Sequence, residues 1–130
     1  MPYLTAYLAT LVTFVAIDLV WLGVVAKEFY RREMGDLMAQ SFNLAAAGAF
    51  YLLYPAAVVL FAVQPAAASA WSTAMFIGAL LGLFAYGTYD LTNLATLRGW
   101  SLTLSVVDMV WGALLTGVAA TAGYWGLRAW

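Results

Sequence analysis

The chain has 130 residues, 66% hydrophobic and 8% charged, with a mean hydropathy of +0.93 and a formal net charge of −1. A soluble globular domain carries about 25% charged residues, so this is the composition of a membrane protein, and without a basic run it gives no electrostatic footing for nucleic acid. Cysteine and histidine are absent, which excludes disulfides, His- or Cys-based zinc sites, Ser-His-Asp triads and Cys-His dyads.

The first apolar segment runs from about Tyr3 to Ala26 and carries one charge, Asp18. Its length suffices for a hydrocarbon core of about 30 Å. The start Met1-Pro2-Tyr3 lacks a basic n-region and the apolar run is too long for a signal core, so the segment is expected to be retained as a span. Lys27 to Asp36 is the only markedly charged stretch. Its mixed signs predict a solvated or interfacial connector, with room for a short helix. The second span starts near residue 37 or 42 and ends near 63, with Pro55 expected to kink it and free the carbonyl of Tyr51. After the short connector Gln64 to Ser69, a third span covers about 70–97, long enough to tilt or project. The fourth covers about 101–127 and carries Asp108.

The expected fold is therefore all-α: one domain over 1–130, an integral membrane four-helix bundle, antiparallel and up-down, with both termini on one side. Gly78 and Gly82 form a GxxxG pattern extended by Ala74, and Gly112, Thr116, Ala120 and Gly123 form a small-residue run on the last span. Such stripes let helices approach closely, within the bundle or in a homo-oligomer. Lys27, Arg31, Arg32 and Arg98 fall on one side and Arg128 on the other. The positive-inside rule then expects the 27–40 and 98–100 loops in the cytoplasm and both termini outside. Aromatic belts are expected at Tyr3, Tyr7, Trp71, Tyr124, Trp125 and Trp130 outside, and at Phe29, Tyr30 and Trp100 inside.

Asp90 and Asp108 each stand nine residues from Gly99, at the centre of the turn Leu97-Arg98-Gly99-Trp100. At 1.5 Å per residue both lie about 13 Å from that turn. Asp18 stands nine residues before Lys27. Three acids on three helices are thus expected at one depth, where ionisable groups are rare and by default functional. Asn43 joins that layer if the second span starts near 37 and lies shallower if it starts near 42. Residues three and four positions away supply Trp21, Tyr86, Asn93 and Trp111, with Tyr51 and Tyr54 continuing the face of Asn43. No Lys or Arg lies deep in any helix. The acids are therefore expected to titrate as a coupled set, and to be protonated, bound to a cation, or open to a wet cavity. Asp18-Leu-Val-Trp21 and Asp108-Met-Val-Trp111 share the pattern Asp-x-Val-Trp.

The run Tyr86-Gly-Thr-Tyr-Asp-Leu-Thr-Asn-Leu-Ala-Thr-Leu-Arg-Gly-Trp100, with Asp18-Leu-Val-Trp-Leu-Gly23 and Asp108-Met-Val-Trp-Gly112, resembles the bacterial membrane family called domain of unknown function 2177. The resemblance covers essentially the whole chain. It implies a four-helix inner-membrane protein and points to Asp18, Tyr89, Asp90, Asn93, Arg98 and Asp108, without implying an activity.

Three functions fit such a layer. Foremost is an enzyme or binding protein for a lipid-like or small amphipathic ligand, with Asp18, Asp90 and Asp108 as acid and base. Trp21, Asn43, Tyr86, Tyr89, Asn93, Arg98 and Trp111 would hold the ligand, and the acids could hold a divalent cation as a variant. The alternatives are a proton- or cation-coupled small transporter and an assembly subunit of a larger membrane complex.

Overall fold

The computed structural model describes residues 1–129, and among them every regular element is helical. The aromatic residue expected at position 130 lies outside the described residues. Helix α1 (Pro2–Val20) runs into a π-helical turn, Trp21–Val25, and a short helix α2 (Lys27–Met34) follows. Helix α3 (Leu44–Val58) also ends in a π-helical turn, Val59–Val63. Helices α4 (Trp71–Thr96) and α5 (Leu102–Leu127) complete the chain. Four stretches are long and apolar enough to cross a membrane: Pro2–Val25, Leu44–Val63, Trp71–Thr96 and Leu102–Leu127. The first two are joined through α2 and the others by short connections, and they alternate in direction, as a helical membrane bundle.

Of the two starts expected for the second span, the chain takes the later one. Asn43 caps α3, its side-chain oxygen accepting from the Ala46 N–H at 3.0 Å. That satisfies one of the orphan donors at the helix start. Pro55 lies inside α3 and is buried, and the chain widens into the π-helical turn four residues later. At the Arg98 end, Gly99 takes φ +74°, a left-handed conformation glycine adopts without cost. Ser101 then caps α5 by accepting from the Leu104 N–H.

The centre of the bundle is the α4–α5 pair, and its two small-residue stripes interlock. A Cβ added at Gly82 would collide with the Gly112 carbonyl and the Thr116 hydroxyl, and one at Gly78 would meet Ala120 Cβ at 2.7 Å. The Gly78–Gly82 stripe is thus used within the chain. On its other side α5 receives α1, where a Cβ at Gly126 would meet Ala9 Cβ at 2.8 Å and one at Gly123 would strike Thr10 and Val63. Without a hydrophobic force between helices in lipid, such close van der Waals contact is what holds them.

The second span packs unevenly. Its last part, with Val58, Val59, Ala62 and Val63, joins Ala6, Ala74, Ala120 and Tyr124 in one buried cluster near the chain ends. Towards the Arg98 end α3 leans on α1 but stands off from α4. There a second cluster forms, in which α2 lays Ala26 and Tyr30 against Trp100 and Leu104.

Overpacking a close helix contact costs about 1–3 kcal/mol. Gly82→Ala is therefore expected to lower the thermal unfolding midpoint in detergent. Gly48→Ala meets nothing within 4 Å and should match or exceed wild type, because alanine is the better helix former. Equal midpoints for Gly82→Ala and wild type would contradict the close α4–α5 seam.

Candidate functional site

The three acids are placed by three different helices, α1, α4 and α5. Asp90 of α4 is 0% exposed, and no hydroxyl, amide or indole donates to either of its oxygens. Its carboxyl neighbours that of Asp108 across the α4–α5 seam. Carboxylates are acceptors only, so such a contact is satisfied when one of the two carries a proton. Asp108 is also held from α2, where the Tyr30 hydroxyl donates to its Oδ1 at 2.7 Å. Burial, then the neighbouring Asp108, push the Tyr30 hydroxyl well above its ordinary pKa. It therefore stays a neutral donor at physiological pH.

Asp18 of α1 is 5% exposed and fully engaged. Its Oδ2 accepts from the Tyr51 hydroxyl at 2.7 Å and its Oδ1 from the Trp111 indole at 3.0 Å. Trp111 lies three residues beyond Asp108 on the same face of α5, which brings Asp18 near the Asp90–Asp108 pair. Asp18 feels the charge of Asp108, and the two acids line one cleft. Among the described residues no group of three or more acids converges as a cation-holding set, so Asp18, Asp90 and Asp108 do not make a three-ligand metal site.

The two Asp-x-Val-Trp runs are connected through their tryptophans. Trp21 and Trp111 stack with ring centres 4.2 Å apart and planes 10° from parallel. The Trp21 indole donates to the Tyr30 hydroxyl at 3.2 Å. On antiparallel helices each Asp thereby faces the other helix's Trp: Asp18 is bonded to Trp111 directly, and Asp108 to Trp21 through Tyr30. One chain of hydrogen bonds and one ring stack link Tyr51, Asp18, Trp111, Trp21, Tyr30 and Asp108.

Beside this network lies a cleft of about 510 Å³. Asp18 and Leu22 line it from α1 and the turn after it. The other walls are Ala47, Phe50, Tyr51 and Tyr54 of α3, Ala85, Tyr86 and Tyr89 of α4, and Asp108 of α5. It occupies the space between α3 and α4, bridged by the Tyr54 and Tyr86 rings at 6.2 Å. Gly112 makes room for Tyr86, since a Cβ there would land on the Tyr86 ring. Tyr54 is anchored by its hydroxyl to Thr116 at 2.9 Å. Among the described residues the Tyr86 hydroxyl has no protein partner and is left to the cleft.

Other expected ligand-holding residues sit elsewhere. Asn43 is exposed and occupied as a helix cap, so it does not reach the acids. Arg98 is exposed on the turn, and among the described residues it has no ion pair or hydrogen bond. Asn93 is half-buried one turn below Tyr89, against its hydroxyl. Tyr30 and Trp100, expected in the inner belt, are instead 8% and 9% exposed and packed inward.

Tyr30 is the participant that reading the charged stretch as a connector passes over. The signal for it is the spacing Ala26, Tyr30, Met34, one apolar stripe at i and i+4 on an otherwise charged helix. Glu33 on the same helix secures α2 to the start of α5, its Oε1 accepting from the Ser101 hydroxyl at 2.6 Å. That bond, more than Arg32, holds the Glu33 carboxyl below its usual pKa. The tether is therefore intact at neutral pH and weakens as acidification protonates Glu33.

Comparison with curated proteins and with solved structures gives no match. The family model described as "Predicted membrane protein (DUF2177)" matches residues 3–125, and the chain belongs to that family.

Proposed function

We propose that this membrane protein binds a lipid-like or small amphipathic ligand in the cleft between α3 and α4, with Asp18, Asp90 and Asp108 as intramembrane carboxylates able to move a proton to or from it. The observation that carries this is the cleft itself. It has the size of a small-molecule site, half of its lining residues are aromatic, and two acids stand on its lining. Because α3 and α4 stand apart there, a ligand with an apolar tail can enter sideways from the bilayer. Near the chain ends the cluster around Val58, Ala62 and Tyr124 closes the bundle, which favours one-sided access over a path through it.

Asp108 and Asp90 fit a proton-sharing pair, in which like charges in contact do not both ionise. Asp18, supported by two donors, fits the role of a fixed carboxylate. The site needs no second copy of the chain, since the Gly78–Gly82 stripe is occupied by α5. We place the protein in a bacterial inner membrane. Lys27, Arg31, Arg32 and Arg98 would face the cytoplasm, with both termini outside. The cleft would then open in the inner leaflet.

Filling the cleft tests its role. Ala85→Phe adds a ring to its wall without touching an acid. Amphiphiles extracted from the purified variant should fall at least several-fold against wild type, with an unchanged melting temperature. An identical extract from both proteins would sink the proposal.

Orientation is checked by cysteine labelling, for which the natural chain supplies a cysteine-free background. In intact spheroplasts an impermeant maleimide should label Gln64→Cys, and should label Leu97→Cys only after permeabilisation. The reverse pattern would put the cleft in the outer leaflet.

A further inference from the structure

The charge and shape of the cleft narrow the ligand further than its size does, provided that the cleft is a ligand site as proposed above. Its lining holds the carboxyls of Asp18 and Asp108 and five aromatic rings, Phe50, Tyr51, Tyr54, Tyr86 and Tyr89. No Lys or Arg lines it. The four cations of the 27–32 and 98 segments are exposed outside it. Behind Asp108, the wholly buried Asp90 has two oxygens to which no protein donor points. A carboxylate offers about four lone-pair positions. Asp18 uses two of its own on Tyr51 and Trp111, and Tyr30 takes one on Asp108. Acceptors are thus in surplus around the cavity, while the cation to match them is missing from the protein.

Aromatic faces and a carboxylate are together the surroundings that a desolvated ammonium group prefers, the rings through their negative faces and the acid through its charge. An anionic head group would meet like charge at both acids, Asp18 and Asp108. A neutral alcohol could use the free acceptors but would gain nothing from the rings' quadrupoles. We propose that the cleft takes the head group of an amphipathic cation, a protonated or quaternary amine carried on an apolar chain. The head lies against Asp18 and Asp108 among the tyrosines, and the chain leaves between α3 and α4 into lipid. Phe50, 41% exposed on the lipid side of that gap, is placed to flank the chain.

The full-length protein in nanodiscs of zwitterionic lipid is titrated with octylamine, octyltrimethylammonium, octanol and octanoate. Binding is followed by intrinsic tryptophan fluorescence, to which Trp111, bonded to Asp18, contributes. Both cations should saturate and bind about tenfold more tightly than octanol, and octanoate should not compete with them. Ala85→Phe should weaken both cations about tenfold. Asp108→Asn should erase most of the preference over octanol, and Asp18→Asn serves the same purpose if Asp108→Asn does not fold. If octanol binds as tightly as the amines and Ala85→Phe weakens all of them alike, the cleft is a ligand site and its selectivity for cations is refuted. If Ala85→Phe titrates like wild type with every probe, the ligands bind elsewhere and the cleft reading fails along with the charge reading.

Discussion

Two carboxyl groups, Asp90 and Asp108, touch inside a bundle that offers Asp90 no other polar partner, and much of the structure serves to hold them there. Their contact requires α4 and α5 to lie closer than large side chains permit. Gly82 against Gly112 and Gly78 against Ala120 supply that approach. It also requires Asp108 to be fixed in direction, which Tyr30 does from outside the pair. Removing a proton from such a pair leaves two like charges together in a medium that solvates them poorly. No Lys or Arg lies deep in any helix to offset those charges.

Much of this is legible in the residues, for reasons that differ from place to place. The four spans follow from uninterrupted apolar length, and their ends fall within about two residues of expectation except where two starts were open. The pairing of Asp90 with Asp108 follows from symmetry about Gly99, because a tight turn forces equal counts on its two arms to equal heights. Asp18 is less directly legible, because the chain continues past the first span as α2, tucked against Trp100 and Leu104, and the register of α1 is set by its side-chain bonds to α5 and α3. No local rule encodes that register. Tyr30 was hidden for a related reason, since charge marks the surface of a helix whose one apolar stripe faces inward.

The Asp-x-Val-Trp echo shows how antiparallel packing gives meaning to a pattern that, along the chain, resembles coincidence. On one helix an Asp and a Trp three residues on share a face. When two such helices run in opposite directions, the Trp of each comes opposite the Asp of the other, and the two indoles meet between them. The stack of Trp21 on Trp111 is thus both wall and spacer. Beside it Asp18 is satisfied by Tyr51 and Trp111. Three acids in this way have three surroundings: two donors on Asp18, one from Tyr30 on Asp108, and none on Asp90.

The same close packing explains why a cleft exists at all. With α4 locked to α5 by glycines and α1 locked to the other side of α5, the second span has no groove of small residues left to enter. Near the chain ends its branched side chains, Val58, Val59 and Val63, fill the remaining space. Towards the Arg98 end the facing positions are Phe50, Tyr51 and Tyr54 on α3, opposite Tyr86 and Tyr89 on α4. Rings that large hold two backbones apart, and the interval between them is the cavity. A bundle optimised only for stability would place small residues there and close it. The bulk of these five residues, with Asp18 and Asp108 beside them, makes the cleft a consequence of which side chains face each other.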